Sequence, residues 1–269
     1  MKLSDKVAVI TGAGSGIGAA LAVRFAREGA AGVVVSDVKR AAAEAIASSI
    51  AAAAGGSSTV AVADRTDVAD AAAVDALVER TLERFGRIDL FVSNAGITTG
   101  AGIDDVAAWQ RAFEINMLAH VHAARAVLPS MLERGSGYLL STASAAGLLT
   151  APGDAPYTVT KHGAVAFAEW LAVTYRARGI GVSVLCPLGV ATPLLLNPLA
   201  EGHAGARAVQ ASGKIISAEQ VADAVITGLE SERFLILPHP EVAGYWVQKA
   251  TDPDRWLAGV RKLQQRERE

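Results

Sequence analysis

A single cysteine, Cys186, stands in 269 residues, so neither an intrachain disulfide framework nor a cysteine-cluster metal site can be built. That usage suits a reducing compartment, and the cytoplasm is the expected location. Aromatic residues make up only 5% of a chain that is 51% hydrophobic. Much of the apolar share is therefore alanine, which favours helices packed closely on a sheet. Charged residues are 19%, the net charge is -2, and no run of lysine or arginine occurs. Neither nucleic acid nor a membrane surface is expected as a partner. Met1 to Lys6 is charged, and the short apolar run behind it lacks a small-residue cleavage pattern, so it does not read as a signal peptide. The stretch Gly179 to Ala200 carries no formal charge. It holds Pro187, Pro193 and Pro198 as well as Gly181 and Gly189, which argues against a membrane span. It reads as a buried strand running into an apolar loop. Metal-ligand spacing is missing too: His120 and His122 alternate on a helix and face apart.

What is present is an alternation of short apolar runs with helical stretches. Val7 to Ile10 reads as a buried strand. A glycine cluster, Thr11 to Gly18, follows it, and then Ile17, Leu21 and Phe25 form one helix face ended by Gly29. Gly32 to Asp37 is a second strand, completing a βαβ unit. Further strands are expected at Val60–Ala63, Ile88–Val92, Gly137–Thr142, Gly181–Leu185 and Phe234–Leu237. Helices are expected at Ala41–Ala54, with a Gly55 to Ser58 turn after it, and at Val68–Phe85 and Ala155–Arg178. Another is expected over Trp109–Met131, broken off near Pro129, and one over Ser217–Ser231 with Ser217 as N-cap. No linker rich in Pro, Gly or Ser divides the chain, and no solenoid-length repeat occurs. The pattern predicts an α/β fold: a single Rossmann-like, doubly wound parallel sheet flanked by helices. Residues 1–238 form the expected dinucleotide-binding and catalytic unit, and 239–269 a helical C-terminal extension of it. In that extension Asp252-Pro253 supplies a helix start. Trp256, Val260 and Leu263 make an apolar stripe, and Arg266 to Glu269 a frayed end.

The glycine cluster leaves a strand, opens a helix, and has an acid about twenty residues on, which lifts it above a plain glycine turn. Gly12, Gly16 and Gly18, with Ser15 and Ile17 between them, would let a pyrophosphate approach the helix N-terminus. Asp37 closes the second strand, where a carboxylate can accept both ribose hydroxyls and repel a 2′-phosphate. NAD is therefore favoured over NADP, although Lys39 and Arg40 close by argue the other way. Asp64, ending the third strand, would either contact an adenine edge or cap the next helix.

Tyr157 and Lys161 stand one helical turn apart on a shared face. An unperturbed phenol, with a pKa near 10, needs about 4 kcal/mol of differential stabilisation to titrate some three units lower. A helix-mate ammonium and a cationic nicotinamide could supply that together. Ser144 lies just past the fifth strand, so it and Tyr157 would share the carboxyl edge of the sheet, where ligands bind. Ser141, Thr142 and Ser144 crowd there, and any of them could instead cap a turn.

Taken jointly and in order, Thr11-Gly12-xxx-Gly16-x-Gly18, Asn94-Ala95-Gly96, Asn116, Ser144 and Tyr157-xxx-Lys161 resemble a classical short-chain dehydrogenase/reductase, from about Lys6 to Pro238. The resemblance implies that Tyr157 is the general acid/base and that Ser144 orients the reacting oxygen. It implies that Lys161 tunes Tyr157 and binds the nicotinamide ribose, and that Asn116 holds a water linking Lys161 to solvent. Asn94, Ala95 and Gly96 would line the cofactor cleft, and Pro187, Val190 and Thr192 would meet the nicotinamide carboxamide. Asn116 otherwise sits badly in mid-helix, a local misfit that suits a functional role. The chain departs from the family at Ser93, which replaces an asparagine, and at Leu188, which replaces a glycine. Arg65, at a usually apolar position, could touch adenine or admit a phosphate. Leu237 to Pro240 leads into an extra helix where many relatives end on a tetramer-building strand.

The implied activity is an NAD-dependent exchange between a hydrophobic secondary alcohol and its ketone. The alternative readings are an NAD(H)-binding sensor or scaffold without turnover, and a lyase or epimerase that recycles its nicotinamide. A homo-oligomer, dimer or tetramer, is expected, with Glu169 and Trp170 at an interface. Pro193 to Gly213 reads as a long lid loop. Its leucines, with Leu148, Leu149 and Leu188, either wall an apolar pocket or pack an interface. Trp246 and Trp256 either close the pocket or serve a partner chain. His162 is expected to face away from Tyr157, and Cys186 to be a buried small residue.

Overall fold

A computed structural model of the chain describes residues 1–53 and 59–266. The end of the second helix at Ala54, the Gly55 to Ser58 turn and the last three residues of the tail lie outside the described residues, so those expectations are not addressed.

Seven strands form one sheet: β1 (Val7–Thr11), β2 (Gly32–Asp37), β3 (Val60–Arg65), β4 (Leu90–Ser93), β5 (Gly137–Thr142), β6 (Ile180–Leu185) and β7 (Leu235–Ile236). Their spatial order is β3-β2-β1-β4-β5-β6-β7, and every pairing is parallel. Parallel strands need crossovers, and helices supply them. One face carries α1 (Gly16–Arg27), α2 (Arg40–Ala53) and α9 (Ala218–Glu230), packed through Leu21, Phe25, Ile50 and Val225. The other carries α3 (Ala71–Phe85), α5 (Ala119–Glu133) and α6 (Ala155–Tyr175), packed through Leu77, Val127, Ala168 and Leu171. With both faces covered, β1 is buried end to end. Strand order reverses between β1 and β4, which opens a crevice at their carboxyl ends.

The expected strands and helices are found, and the differences have local causes. The stretch expected over Trp109–Met131 is α4 (Val106–Phe113), a π-turn over Glu114–Leu118, and α5. Pro129 lies inside α5 and does not break it. A mid-helix proline costs about 3 kcal/mol. Burying Val127, Leu128 and Met131 on the core contributes about 1.5–3 kcal/mol each and outweighs that cost. The lid read as a loop is helical instead, α7 (Pro193–Ala200) and α8 (Ala204–Ser212), because Thr192 takes the N-cap position and Pro193 an N-terminal one. The third helix starts later than Val68, at the Asp70 cap. The extension is two helices, α10 (Glu241–Thr251) and α11 (Pro253–Arg266). Ser217 caps α9 in a complete capping box with Gln220. No helix among the described residues is long and apolar enough to cross a membrane.

Candidate active site

A cavity of about 1070 Å³ lies along the carboxyl edge of the sheet. At one end is the β1–α1 turn. Gly12 has φ +63, and a Cβ on it would stand 2.8 Å from the Ala95 Cα, so the turn closes only without a side chain. A Cβ on Gly18 would strike the Gly12 carbonyl, which explains why Gly18 packs behind the turn rather than on the cavity wall. Gly12, Ser15, Gly16 and Ile17 do line it. Ser15 occupies the N-cap position of α1 but makes no side-chain cap, and the first turn holds no acid. The leading N–H groups therefore face the cavity without a capping acceptor, and the cradle fits a pyrophosphate.

Asp37 lies on the same wall. Its Oδ2 accepts from the Gly14 N–H at 3.0 Å and its Oδ1 from the Lys39 N–H at 2.9 Å, which orients the carboxylate at the end of β2. Asp64 is not on the wall. Arg80 of α3 holds it through two hydrogen bonds, at 2.9 and 3.0 Å, and the Thr66 hydroxyl donates to it at 2.6 Å. It caps no helix either; Asp70 does that for α3. Arg65 also lies off the wall, where Thr66, Asp67 and Val68 stand instead. Arg40 pairs with Glu44, and neither Lys39 nor Arg40 reaches the cavity. Asn94 ties β4 to β1: its Nδ2 donates to the Thr11 carbonyl at 3.0 Å, and the Thr11 hydroxyl accepts from the Asn94 and Ala95 N–H groups. Asn94, Ala95 and Gly96 line the cavity, as do Pro187, Val190 and Thr192.

Ser144, Tyr157 and Lys161 converge on the middle of this wall. Ser144 both faces the cavity and caps a short 3₁₀ turn by accepting from the Ala146 N–H at 3.1 Å. Lys161 is buried. Its Nζ donates to the Thr142 carbonyl at 3.0 Å and sits 5.7 Å from the centre of the Tyr157 ring. Burial holds Lys161 down at about 8. Burial also pushes Tyr157 up to about 12, against the opposing hydrogen bond from Ser144. The lowered phenol expected from the lysine is therefore not produced by the chain's own groups. Asn116 lies behind the wall, in the π-turn. Its side chain is spent on Ile97, accepting from the N–H at 2.8 Å and donating to the C=O at 2.9 Å. Any water it holds must sit on its main chain.

Two contributors go unread in the sequence. Asp154 is buried and caps α6 by accepting from the Tyr157 N–H at 3.0 Å. It also accepts from the Thr99 and Gly100 N–H groups at 2.7 and 2.9 Å, locking the loop after β4 to the first turn that carries Tyr157. An Asp just before Ala155-Pro156 was the available signal. His239, also buried, accepts from the Leu188 N–H at 3.1 Å and bonds the Gly189 and Lys214 carbonyls, fixing the loop after β6. Nothing local announced that role. The extension supplies part of the cavity wall, one of the two alternatives expected for Trp256. Tyr245 and Trp256 pack together at 6.2 Å and line it with Arg255, Val260 and Leu263, whereas Trp246 does not. Lys249 pins α10 by donating to the Leu148 and Leu149 carbonyls at 2.9 and 2.7 Å. His162 meets Lys249 and lies off the cavity wall. Leu149, Leu188, Leu194 and Leu195 line the cavity; Leu148, Leu196 and Leu199 do not. Among the described residues, no cluster of His, Cys, Asp and Glu could hold a metal ion.

Comparison with known proteins follows the same lines. A family model described as short chain dehydrogenase matches residues 6–200. A 1-deoxy-11-beta-hydroxypentalenate dehydrogenase from Streptomyces exfoliatus is 37% identical, over 90% of this chain and 86% of its own length. A cis-4-hydroxycyclohexanecarboxylate dehydrogenase from Sinomonas cyclohexanicum is 36% identical, over 82% of this chain and 88% of its own. A crystal structure of a short chain dehydrogenase/reductase from Burkholderia phymatum in complex with NAD superposes with a TM-score of 0.83. It is 32% identical and covers 94% of this chain and 96% of that one.

Proposed function

We propose that this chain, which belongs to the short-chain dehydrogenase/reductase family, is an NAD-dependent oxidoreductase interconverting a hydrophobic secondary alcohol and its ketone. One observation carries the reading. Ser144, Tyr157 and Lys161 share a wall with an uncapped glycine-turn helix and a strand-end carboxylate, in one cavity. Gly12, Ser15, Gly16 and Ile17 would hold the pyrophosphate, with Gly18 keeping the turn tight. Asp37 would hold the adenosine ribose hydroxyls, and Pro187, Val190 and Thr192 the nicotinamide carboxamide. NAD, when bound, supplies the acceptor or donor of hydride. The preference for NAD rests on Asp37 facing the cavity while Arg40, Lys39 and Arg65 do not; Asp64 and Arg65, off the wall, are given no part in it.

Tyr157 Oη takes the proton of the alcohol hydroxyl, or returns it to the carbonyl. Ser144 Oγ holds that oxygen beside the phenol. Lys161 Nζ provides the positive field that favours phenolate, and Asp154 fixes the turn on which Tyr157 stands. Burial first, with Asp154 and Cys186 acting the same way, holds Tyr157 up at about 12, so part of the lowering would come from the positive charge of bound NAD⁺. The part of the chain before the extension would do this work, and the extension, through Tyr245, Trp256 and Leu263, would close the substrate end. Two of the relatives are, by name, dehydrogenases of hydroxylated carboxylates, a hydroxypentalenate and a hydroxycyclohexanecarboxylate. Arg255, on the cavity wall and in no ion pair among the described residues, offers a cation for such a carboxylate. A homo-oligomer is part of the proposal, since Trp170 and Val173 lie exposed on the outer side of α6.

The test is to offer NAD⁺ and NADP⁺ with secondary alcohols graded by apolar size to the wild type and to Tyr157→Phe. NAD⁺ reduction that grows with apolar size and disappears in the variant, while NADH still binds, is the expected result. Undiminished turnover in Tyr157→Phe would remove the mechanism.

A further inference from the structure

Lys249 of α10 is a half-buried cation to which the mechanism above gives no task. Its ammonium donates to the Leu148 carbonyl at 2.9 Å and to the Leu149 carbonyl at 2.7 Å, and it faces His162 Nε2 at 3.3 Å. His162 Nδ1 lies 2.9 Å from the Thr158 carbonyl, which can only accept. Nδ1 therefore carries the proton, and Nε2 keeps a lone pair for Lys249. An ammonium has three N–H groups, and three neutral acceptors take them all. Burial lowers the pKa of Lys249, and no carboxylate acts on it. A lysine placed at that cost, with no ion pair to offset it, is held for what its three bonds do.

The two carbonyls belong to the segment that runs from Ser144 to the start of α6. Its ends are held by other groups. At the Ser144 end, the Ala143 N–H donates to the Leu185 carbonyl at 2.9 Å and the Ala145 N–H to the Pro187 carbonyl at 2.8 Å. At the other end, the Thr158 hydroxyl accepts from the Ala151 N–H at 2.9 Å. Leu148 and Leu149, between them, are buried, and among the described residues their carbonyls accept from Lys249 alone. Buried carbonyls without a donor are strongly disfavoured. Without Lys249 these peptides would turn toward water, and Leu149 would turn with them. Leu149, Thr150 and Ala151 line the cavity.

We propose that Lys249 is a positioning residue for the substrate: its bonds to the Leu148 and Leu149 carbonyls and to the neutral His162 ring hold Leu149 against the apolar group of the alcohol. The inference rests on the alcohol–ketone reading above. It gives the extension a second route to the substrate, through the main chain of the Ser144 segment rather than through its own aromatic side chains. Because Ser144 is fixed from the β6 side, the lysine acts on substrate binding and leaves hydride and proton transfer alone.

The experiment compares the full-length wild type with Lys249→Met, Leu149→Ala and the double variant, with cyclohexanol as the probe. Lys249→Met should raise KM about ten-fold, the order expected when one leucine contact is lost, with kcat and NADH affinity within about two-fold. Leu149→Ala should raise KM to a similar extent, and the double variant no further, because the lysine acts through the leucine. A folded Lys249→Met with the wild-type KM, a fall in kcat at unchanged KM, or additive effects in the double variant overturns the proposal. In a second arm, hydrogen exchange of the NADH-bound protein should be at least about ten-fold faster at the Gly147 to Ala151 amides of Lys249→Met, with α9 unchanged. Unchanged exchange in that segment, or equally faster exchange in α9, overturns the positioning role. If Lys249→Met does not fold, Lys249→Gln decides. Its amide stops one bond short of Nζ, so KM and segment exchange should both rise by smaller factors, and either one at the wild-type value overturns the proposal. Should the wild type oxidise no alcohol, the activity reading fails, while the exchange arm still decides whether Lys249 holds the segment.

Discussion

Lys161, buried on the cavity wall, costs stability where the proposed mechanism uses its charge. Burial holds it down at about 8 from an ordinary 10.5. Between those values the unfolded chain binds a proton that the folded chain has released, so this group makes stability rise with pH across that window. Burial pushes Tyr157 and Cys186 the other way, up to about 12. Their contribution falls as pH rises past the ordinary values of about 10 and 9. The quantity to read is therefore the difference between the wild type and Lys161→Met. Turnover in that variant should fall by about 10²–10⁴. Its urea midpoint at pH 7 should equal or exceed the wild type's, and the gap should shrink as pH climbs from 8 toward 10.5. A midpoint well below wild type at pH 7 would mean that the bond to Thr142 outweighs the desolvation of the ammonium.

At the scale of elements, the β1–α1 turn and the first turn of α6 are where backbone geometry and chemistry meet. Gly12→Ala forces a left-handed residue and drives a Cβ onto the Ala95 backbone. The strain alone is about 1–2 kcal/mol, and opening the turn moves the N-terminus of α1 away from its ligand. NADH affinity, read by fluorescence titration, should fall at least about ten-fold, together with a lower melting temperature. Unchanged affinity would show that the turn does not cradle the cofactor. These elements are legible because each carries a local signal, glycine where a Cβ cannot fit and tyrosine and lysine one turn apart, although the Asp154 cap of α6 goes unread. The stretch from Pro193 to Gly213 reads as a loop for the same reason: leucines and prolines together look like loop composition, whereas Pro193 stands where a helix accepts it. The π-turn at Asn116 was seen only as a misfit, because its shape depends on the loop that the side chain grips.

Over the whole molecule, the proposed function gives the extension a part in what the cavity accepts. Trp256 and Tyr245 pack together on the cavity wall, and Lys249 ties α10 to the Leu148 and Leu149 carbonyls. Trp256→Ala should raise KM for bulky alicyclic alcohols about ten-fold, with little effect on propan-2-ol, because a small alcohol does not reach that wall. Arg255→Ala should raise KM for a hydroxy acid and spare the matching uncharged alcohol; equal effects on both would remove the carboxylate contact. Trp170→Glu places a charge on the outer face of α6, where Trp170 stacks on Phe167 at 6.2 Å. If that face joins copies of the chain, sedimentation of the variant should show a smaller species than the wild type.

The sequence by itself determined the layered parallel fold and the glycine turn, since each follows from periodicity or local spacing, while the grouping of Ser144, Tyr157 and Lys161 was carried by the family resemblance. The tertiary structure decided which candidates line the cavity. Asp37 and Asp64 both end strands, and only packing shows that Arg80 takes Asp64 while Asp37 faces the cavity. It also decided that burial, rather than the neighbouring lysine, dominates the Tyr157 phenol. Desolvation and long-range ion pairing depend on what the fold brings together, and a residue's neighbours along the chain do not report it.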